Sequence, residues 1–301
     1  MTRQSATPNF RSIALIARDH DPNVQETVAA LIAYLLRNDR TVWVAKDTAF
    51  EHIEGVRACP ENALGDHCDL VIAVGGDGTM LQAAHLIRRA SLPLLGINRG
   101  RRGFLADILP HEVEDGLGSI LRGEFVRESR MLLQATLRHG NDVKQSQVAL
   151  NDIVVQRGAM GQMLDFDVRV DGAYVNTHRG DGLIISTPTG STAYALSSGG
   201  PIMQPGLNAV AMVPICPHTL SDRPVVIPGN SHIEIRVEHR FEADAFVTVD
   251  GRMTDEMAVG DTLEVTQAAD RITLLHPTNY DYFEVLRSKL NWGHYGLPEK
   301  A

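Results

Sequence analysis

The fold is decided by Val71-Ile72-Ala73-Val74-Gly75-Gly76-Asp77-Gly78-Thr79-Met80-Leu81. Asp69 to Val74 reads as a short, apolar strand of a buried parallel sheet. Three glycines around one carboxylate follow. A helical pattern comes next, with Met80, Leu81, Ala84 and Ile87 on one face. Strand, glycine turn and helix start form a recurrent anion site. Bare glycines let phosphates approach the backbone, and free N–H groups plus the helix dipole favour negative charge. A carboxylate there repels its ligand unless it orients a hydroxyl or holds a metal, which makes Asp77 the candidate catalytic residue. The alternative is a tight turn with Asp77 as N-cap. Leu81 stands where G-x-G-x-x-G needs a glycine, and no G-x-x-x-x-G-K-[ST] occurs, so neither an ordinary dinucleotide turn nor a P-loop is supported.

Working outward, Ser12 to Ala17 reads as a first strand and Asp21-Pro22 opens a helix whose apolar face is Val24, Val28, Leu31, Ile32 and Leu35. Thr41 to Ala45 and Leu92 to Ile97 are further strands, and the helix after Asp77 runs to Ala90. This β-α-β-(loop)-β-α-β rhythm predicts a doubly wound parallel sheet with ligands at the strands' C-terminal ends. Gly96 to Phe104 would carry Arg99, Arg101 and Arg102 to the edge that holds Asp77, as a phosphate clamp or as a solvated charge run. Pro110 to Leu121 predicts another helix.

After Arg130 the period changes from 3.6 to 2. Strands are expected at Met131 to Arg138, Gln147 to Gln156, Leu164 to Val170, Leu183 to Ser186, Val225 to Ile227, Ile233 to His239, Phe246 to Val249, Leu263 to Thr266 and Ile272 to Leu275. Asp171-Gly172 and Asp250-Gly251 mark turns. The fold class is therefore an α/β domain with a doubly wound parallel sheet (1–129), then a β-rich domain of sandwich or solenoid type (130–279), α+β overall. A C-terminal tail (280–301) packs back on the first domain as a short helix through Phe283, Leu286 and Leu290.

The 301 residues, 44% of them hydrophobic, are enough for two cores. A net charge of −9 argues against nucleic acid or an acidic membrane surface as partner, so a polyanionic ligand must be neutralised locally. Cys59, Cys68 and Cys216 are too few and too scattered for a disulfide framework or a zinc site, which fits the cytoplasm. The apolar run Ile13 to Ala17 is too short for a signal peptide or a membrane span.

In the second half, Asn151-Asp152 interrupts an apolar strand. The pair is either a bulge or turn, or a nucleoside reader. In Gly180 to Pro201, a strand ends at Pro188 and a helix is expected from Ser191 or Thr192 to Gly199. The hydroxyls at 187, 189, 191, 192 and 197 suit a ribose, adenine or phosphate, and Tyr194 could stack on a base.

Gly75-Gly76-Asp77-Gly78-Thr79, Asn151-Asp152, and Gly180-Asp181-Gly182 through Thr187-Pro188-Thr189-Gly190-Ser191-Thr192-Ala193-Tyr194 stand in the order and spacing of the NAD kinase family, which the chain resembles across residues 12–293. The resemblance implies two domains with NAD in the cleft. It implies ATP-dependent phosphorylation of the 2′-hydroxyl of the adenosine ribose, with Asp77 as proton acceptor. Asp77, Gly78, Asn151, Asp152 and Gln162 fall on NAD-contacting positions. So do Arg179, Asp181, Thr192, Ala193, Tyr194, Ala195, Leu196, Ser197 and Arg252. Gly75, Gly76, Gly78, Thr79 and Arg99 would hold phosphates. Arg102 stands where an apolar residue is common, Arg252 where glutamine is frequent, and Gln162 at a variable position. No dedicated metal cage is visible, so Mg2+ or another divalent cation would arrive with ATP. Family members are usually homo-oligomers, dimers or tetramers. The alternative readings are a lipid or sphingoid kinase that shares the glycine loop, and a non-catalytic nucleotide-sensing module.

Overall fold

A computed structural model describes residues 10–18, 21–98, 103–106, 108–158, 164–237, 245–258 and 260–292. The chain divides into two compact units. One runs to Ser129 and resumes at Ile272, and the other is Arg130–Arg271.

The first unit opens with β1 (Ser12–Ala17), α1 (Pro22–Arg37), β2 (Thr41–Ala45), β3 (Val56–Cys59), β4 (Leu70–Val74), α2 (Asp77–Ile87), β5 (Pro93–Ile97) and α3 (Val113–Leu121). Its strands pair in parallel in the order β5-β4-β1-β2-β3. The chain winds outward from β1 to β3, then returns to build β4 and β5 on the other side. The topological switch point therefore lies between β1 and β4, where open α/β sheets bind ligands.

Asp21 caps α1 by accepting the Asn23 N–H at 3.0 Å, with Pro22 in the first turn. Every residue of β4 is buried. Leu70, Ile72 and Val74 pack with Leu31 and Leu35 of α1 and Leu117 and Ile120 of α3. The helix α2 buries Thr79, Met80, Ala83, Ala84 and Ile87 outside that cluster. Leu81, expected on the buried face, is only half-buried, and Ala83 takes its place. The stretch expected as a loop before β4 holds β3 and a 3-10 turn (Glu61–Asp66). β3 is a four-residue edge strand with one buried side chain, too short and too polar to register as an apolar run.

The second unit is built from β6 (Val126–His139), β7 (Asp142–Ala149), β8 (Asp152–Arg157), β9 (Leu164–Val170), β10 (Ala173–Gly180), β11 (Gly182–Ser186), α4 (Tyr194–Ser197), β12 (Ala209–Ile215), β13 (Val225–Pro228), β14 (Ile233–Val237), β15 (Ala245–Val249), β16 (Arg252–Met257) and β17 (Asp261–His276). One sheet joins β10-β9-β14 to the first part of β17 in antiparallel pairing, and β6 pairs with β7. The other runs β13-β12-β11-β8-β15-β16, also antiparallel. Both contribute to one core that includes Met131, Leu133, Ile153, Val155, Phe166, Val168, Leu183 and Ile185. A shared core between two sheets is a sandwich, not a solenoid.

Three strands of this unit escape the sequence reading: β10, β12 and β16. Only two residues of β10 and one of β16 are buried, so no apolar face announces them. The segments expected as separate strands at 263–266 and 272–275 are one strand, β17, whose middle (Ala269 to Arg271) is exposed and polar. From Ile272 on, β17 belongs to the first unit and pairs in parallel with β5. The helix α5 (Tyr282–Leu290) follows there, capped by Asp281. It buries Tyr282, Val285 and Leu286, while Phe283, expected inside, is 55% exposed. Among the described residues, no helix is long and apolar enough to cross a membrane.

Candidate active site

In the first unit, the site residues gather where β1, β4 and β5 end. Gly75 leaves β4 at φ 154°, a backbone that favours glycine, and its N–H donates to Ile97 O at 2.9 Å. The Thr79 side chain packs beneath Gly75 and is buried. Gly76, not Asp77, is the N-cap of α2. Capping is therefore not the task of the Asp77 carboxylate, which sits at the first helical residue. Its Oδ1 accepts the Leu105 N–H at 3.2 Å and its Oδ2 faces the Phe104 N–H at 3.4 Å. The loop closes over it only because residue 103 is glycine: a Cβ there would stand 2.5 Å from Asp77 Oδ1. Asp77 stays half-buried, while Gly76 and Gly78 are exposed. The Thr79 and Met80 N–H groups donate to Gly76 O at 3.0 and 3.3 Å, which leaves the Asp77 and Gly78 N–H groups at the helix start as anion donors.

Arg18 was not anticipated. It follows β1, whose Ala17 pairs with Val74, and its Nη2 lies 3.4 Å from where a Cβ on Gly78 would stand. Only the strand order brings this cation to the loop, though its place directly after a buried strand was a usable signal. Arg99, Arg101 and Arg102 lie outside the described residues, as does Gln162.

In the second unit, Asn151-Asp152 does not interrupt a strand, as the sequence suggested. It is the corner at which the chain leaves β7 in one sheet and enters β8 in the other. Thr187 pins the corner: its Oγ1 donates to Leu150 O at 2.6 Å and its N–H to Asn151 O at 2.9 Å. The N–H groups of Leu150, Asn151 and Asp152 donate to the Asp250 carboxylate at 2.9, 2.7 and 3.2 Å. Asp152 is 4% exposed. Its pKa is pushed up to about 7, first by burial and then by the negative charge of Asp250.

The segment after β11 also departs from expectation. Instead of a helix from Ser191 to Gly199 there is a 3-10 turn (Gly190–Thr192) and the single turn α4. Most of the hydroxyls are engaged by the protein itself. Thr187 Oγ1 accepts the Gly190 N–H, and Ser191 Oγ donates to Pro188 O at 2.7 Å and accepts the Met203 N–H at 2.9 Å. The fully buried Arg130 donates to Thr189 Oγ1 at 3.2 Å. Ala195 and Met203 pack on Val154, Ile184 and Val213, the outer face of the six-stranded sheet. Thr192, Ala193 and Leu196 are half-buried, and Tyr194 and Ser197 are exposed.

Asp181 accepts from Arg157 Nε at 2.7 Å. Both line a small open pocket of about 250 Å3 with Gln156, Gly158, Tyr194 and Ile215. Arg157 was not anticipated from sequence. Arg179, on the same turn as Asp181, pairs with Asp165 at 3.5 Å, and Arg252 is exposed at the start of β16. A larger cavity of about 530 Å3 in the first unit, lined by Glu112, Asp115, Tyr280 and Glu284 among others, contains none of the candidate residues.

Comparison with known proteins matches two family domains along the chain. Residues 13–125 match the ATP-NAD kinase N-terminal domain and residues 150–276 the ATP-NAD kinase C-terminal domain. The chain is 43% identical to the NAD kinase of Pseudomonas paraeruginosa over 286 residues, 94% of this chain and 97% of that protein. The NAD kinase of Pseudomonas entomophila is also 43% identical, over 94% of this chain and 96% of its own length. Among solved structures, yeast NADH kinase complexed with NADH superposes with a TM-score of 0.88 at 26% identity, covering 98% of this chain and 91% of that one. An NAD kinase from Archaeoglobus fulgidus in complex with ATP gives 0.72 at 27% identity, covering 92% and 99%.

Proposed function

The chain belongs to the ATP-NAD kinase family, and from that premise we propose that it transfers the γ-phosphoryl group of ATP to the 2′-hydroxyl of the adenosine ribose of NAD, giving NADP. The observation that carries this reading is the Asp77 carboxylate, held at the first residue of α2 by the Phe104 and Leu105 N–H groups beside exposed glycines. A ribose hydroxyl is a poor nucleophile and an aspartate a weak base. In a loose phosphoryl transition state the proton leaves late, so position matters more than basicity. Asp77 orients the hydroxyl and takes its proton as the phosphoryl group transfers. The Asp77 and Gly78 N–H groups and Arg18 offset phosphate charge.

Asn151 and Asp152 read the dinucleotide, with the exposed parts of Thr192 to Ser197 and the Asp181–Arg157 pocket. Ala195 contributes backbone alone, because its side chain is in the core. Gly75, Gly76, Gly78 and Thr79 shape the phosphate loop, and Arg99, Arg179, Gln162 and Arg252 complete the set that the family pattern assigns. Mg2+ would be carried in on ATP as part of the substrate. The exposed Tyr174, Val175, Leu220, Val225, Val226 and Met253 of the second unit support a homo-oligomer, dimer or tetramer, joined through that unit. Three free cysteines fit the cytoplasm.

The test is NADP formation by the purified protein from NAD and Mg-ATP, with ADP measured in parallel. One ADP per NADP is expected. Phosphorylation of a lipid or sphingoid base without NADP would replace the reading with a lipid kinase. Binding of NAD without turnover would replace it with a sensor.

A further inference from the structure

The corner at Asn151-Asp152 raises a question of support. Three successive backbone N–H groups, from Leu150, Asn151 and Asp152, fall between the ladders of two sheets. Buried donors left unpaired are costly. One carboxylate, Asp250, takes all three, with Oδ2 on Leu150 and Oδ1 on both Asn151 and Asp152. The Asp250 N–H in turn donates to Asp152 O at 3.0 Å. Asp250 can do this because it sits just past β15, at the left-handed φ of 49°, in the turn to β16. Its main chain continues the β15–β8 pairing, in which Val249 faces Ile153, while its side chain reaches round the bend. On the opposite side Thr187 holds the carbonyls of Leu150 and Asn151. The corner is thus gripped by its donors and by its acceptors, and its two polar side chains have one place to be.

We propose that Asp250 is a positioning residue for the kinase reaction: its carboxylate fixes the Asn151-Asp152 corner so that those two side chains meet the dinucleotide. The inference rests on the reading that Asn151 and Asp152 bind NAD. A second consequence follows from charge. In register across the six-stranded sheet, Asp152 meets uncharged Ser186 of β11 on one side and the end of β15 on the other. Asp250 is the charged group that acts on it, adding to the larger effect of burial. Position and protonation of Asp152 are therefore coupled to the same neighbour.

Asp250→Asn is the informative variant, because asparagine tolerates the left-handed backbone. It keeps one acceptor oxygen, turns the other into a donor facing Leu150, and removes the charge. In steady-state assays across pH 5.5 to 8.5, KM for NAD should rise by on the order of 10- to 100-fold while KM for ATP stays within about twofold. The inflection in KM for NAD, expected near pH 7 in the parent, should move to lower pH. A folded Asp250→Asn protein with the parent's KM for NAD and the parent's inflection would overturn the proposal. A purely structural role would lower the melting temperature and leave both unchanged. If Asp250→Asn fails to fold, Asp152→Asn decides: the inflection must vanish in it, and its persistence would overturn the coupling. Loss of NADP formation by the parent protein itself would instead strike the reading on which the inference rests.

Discussion

The glycine loop of the first unit and the hydroxyl-rich turn of the second make an instructive pair. In the first, the backbone serves the side chain: Gly103 leaves room for one carboxylate, which two N–H groups steady beside the exposed Gly76 and Gly78. In the second, the side chains serve the backbone: Thr187, Thr189 and Ser191 are buried and bonded to carbonyls, amides and Arg130, leaving Tyr194 and Ser197 exposed. Chemical richness in a sequence is thus a poor guide to where chemistry occurs.

Substitutions can break this contrast. The largest effect should come from Asp77→Asn, which keeps size and loses the proton acceptor. It should lower kcat by on the order of 10²- to 10⁴-fold, with little change in the melting curve. Next, Gly103→Ala pushes a methyl against Asp77 Oδ1. A displaced carboxylate should cost on the order of 10-fold or more in kcat with KM values held, measured by initial rates. Ser191→Ala sharpens the other half of the contrast. It leaves the buried Met203 N–H without its acceptor, so denaturant melts should show a loss of about 1–3 kcal/mol while kcat in the surviving folded protein stays near the parent's.

A separate effect concerns pH. The folded-state pKa of Asp152 is raised from 3.8 to about 7, so between those values the folded chain binds more protons than the unfolded one. Its contribution to stability is present below pH 3.8 and is lost as pH rises through 7. Asp261 has the opposite sign. Burial works against its charge, yet Lys144 at 2.8 Å and His139 at 2.7 Å hold its pKa below the usual range, so its contribution is lost as pH falls. Asp152→Asn should therefore remove a decline in stability between pH 3.8 and about 7, read from melting temperature against pH.

What the sequence discloses follows the same physics. The Val71–Leu81 stretch is legible because a fully buried strand, glycines and a helix face are all local patterns. The Asp21 cap and the Asp171-Gly172 turn, with φ of 51° and 79°, are local too. Arg18, Arg157, Arg130 and Asp250 are not legible, since each acts on a residue brought near by strand pairing. Asp250 and Asn151 are separated by 99 positions, and Arg130 and Thr189 by 59. The short edge strands β3 and β16 also stay hidden, because each buries only one residue and leaves no period.

The most direct test of the central claim is a crystal structure of the protein with NAD and a non-hydrolysable ATP analogue. The account predicts the adenosine 2′-oxygen within about 3 Å of the Asp77 carboxylate, opposite the γ-phosphorus. A dinucleotide bound with its adenosine ribose away from Asp77 would contradict it.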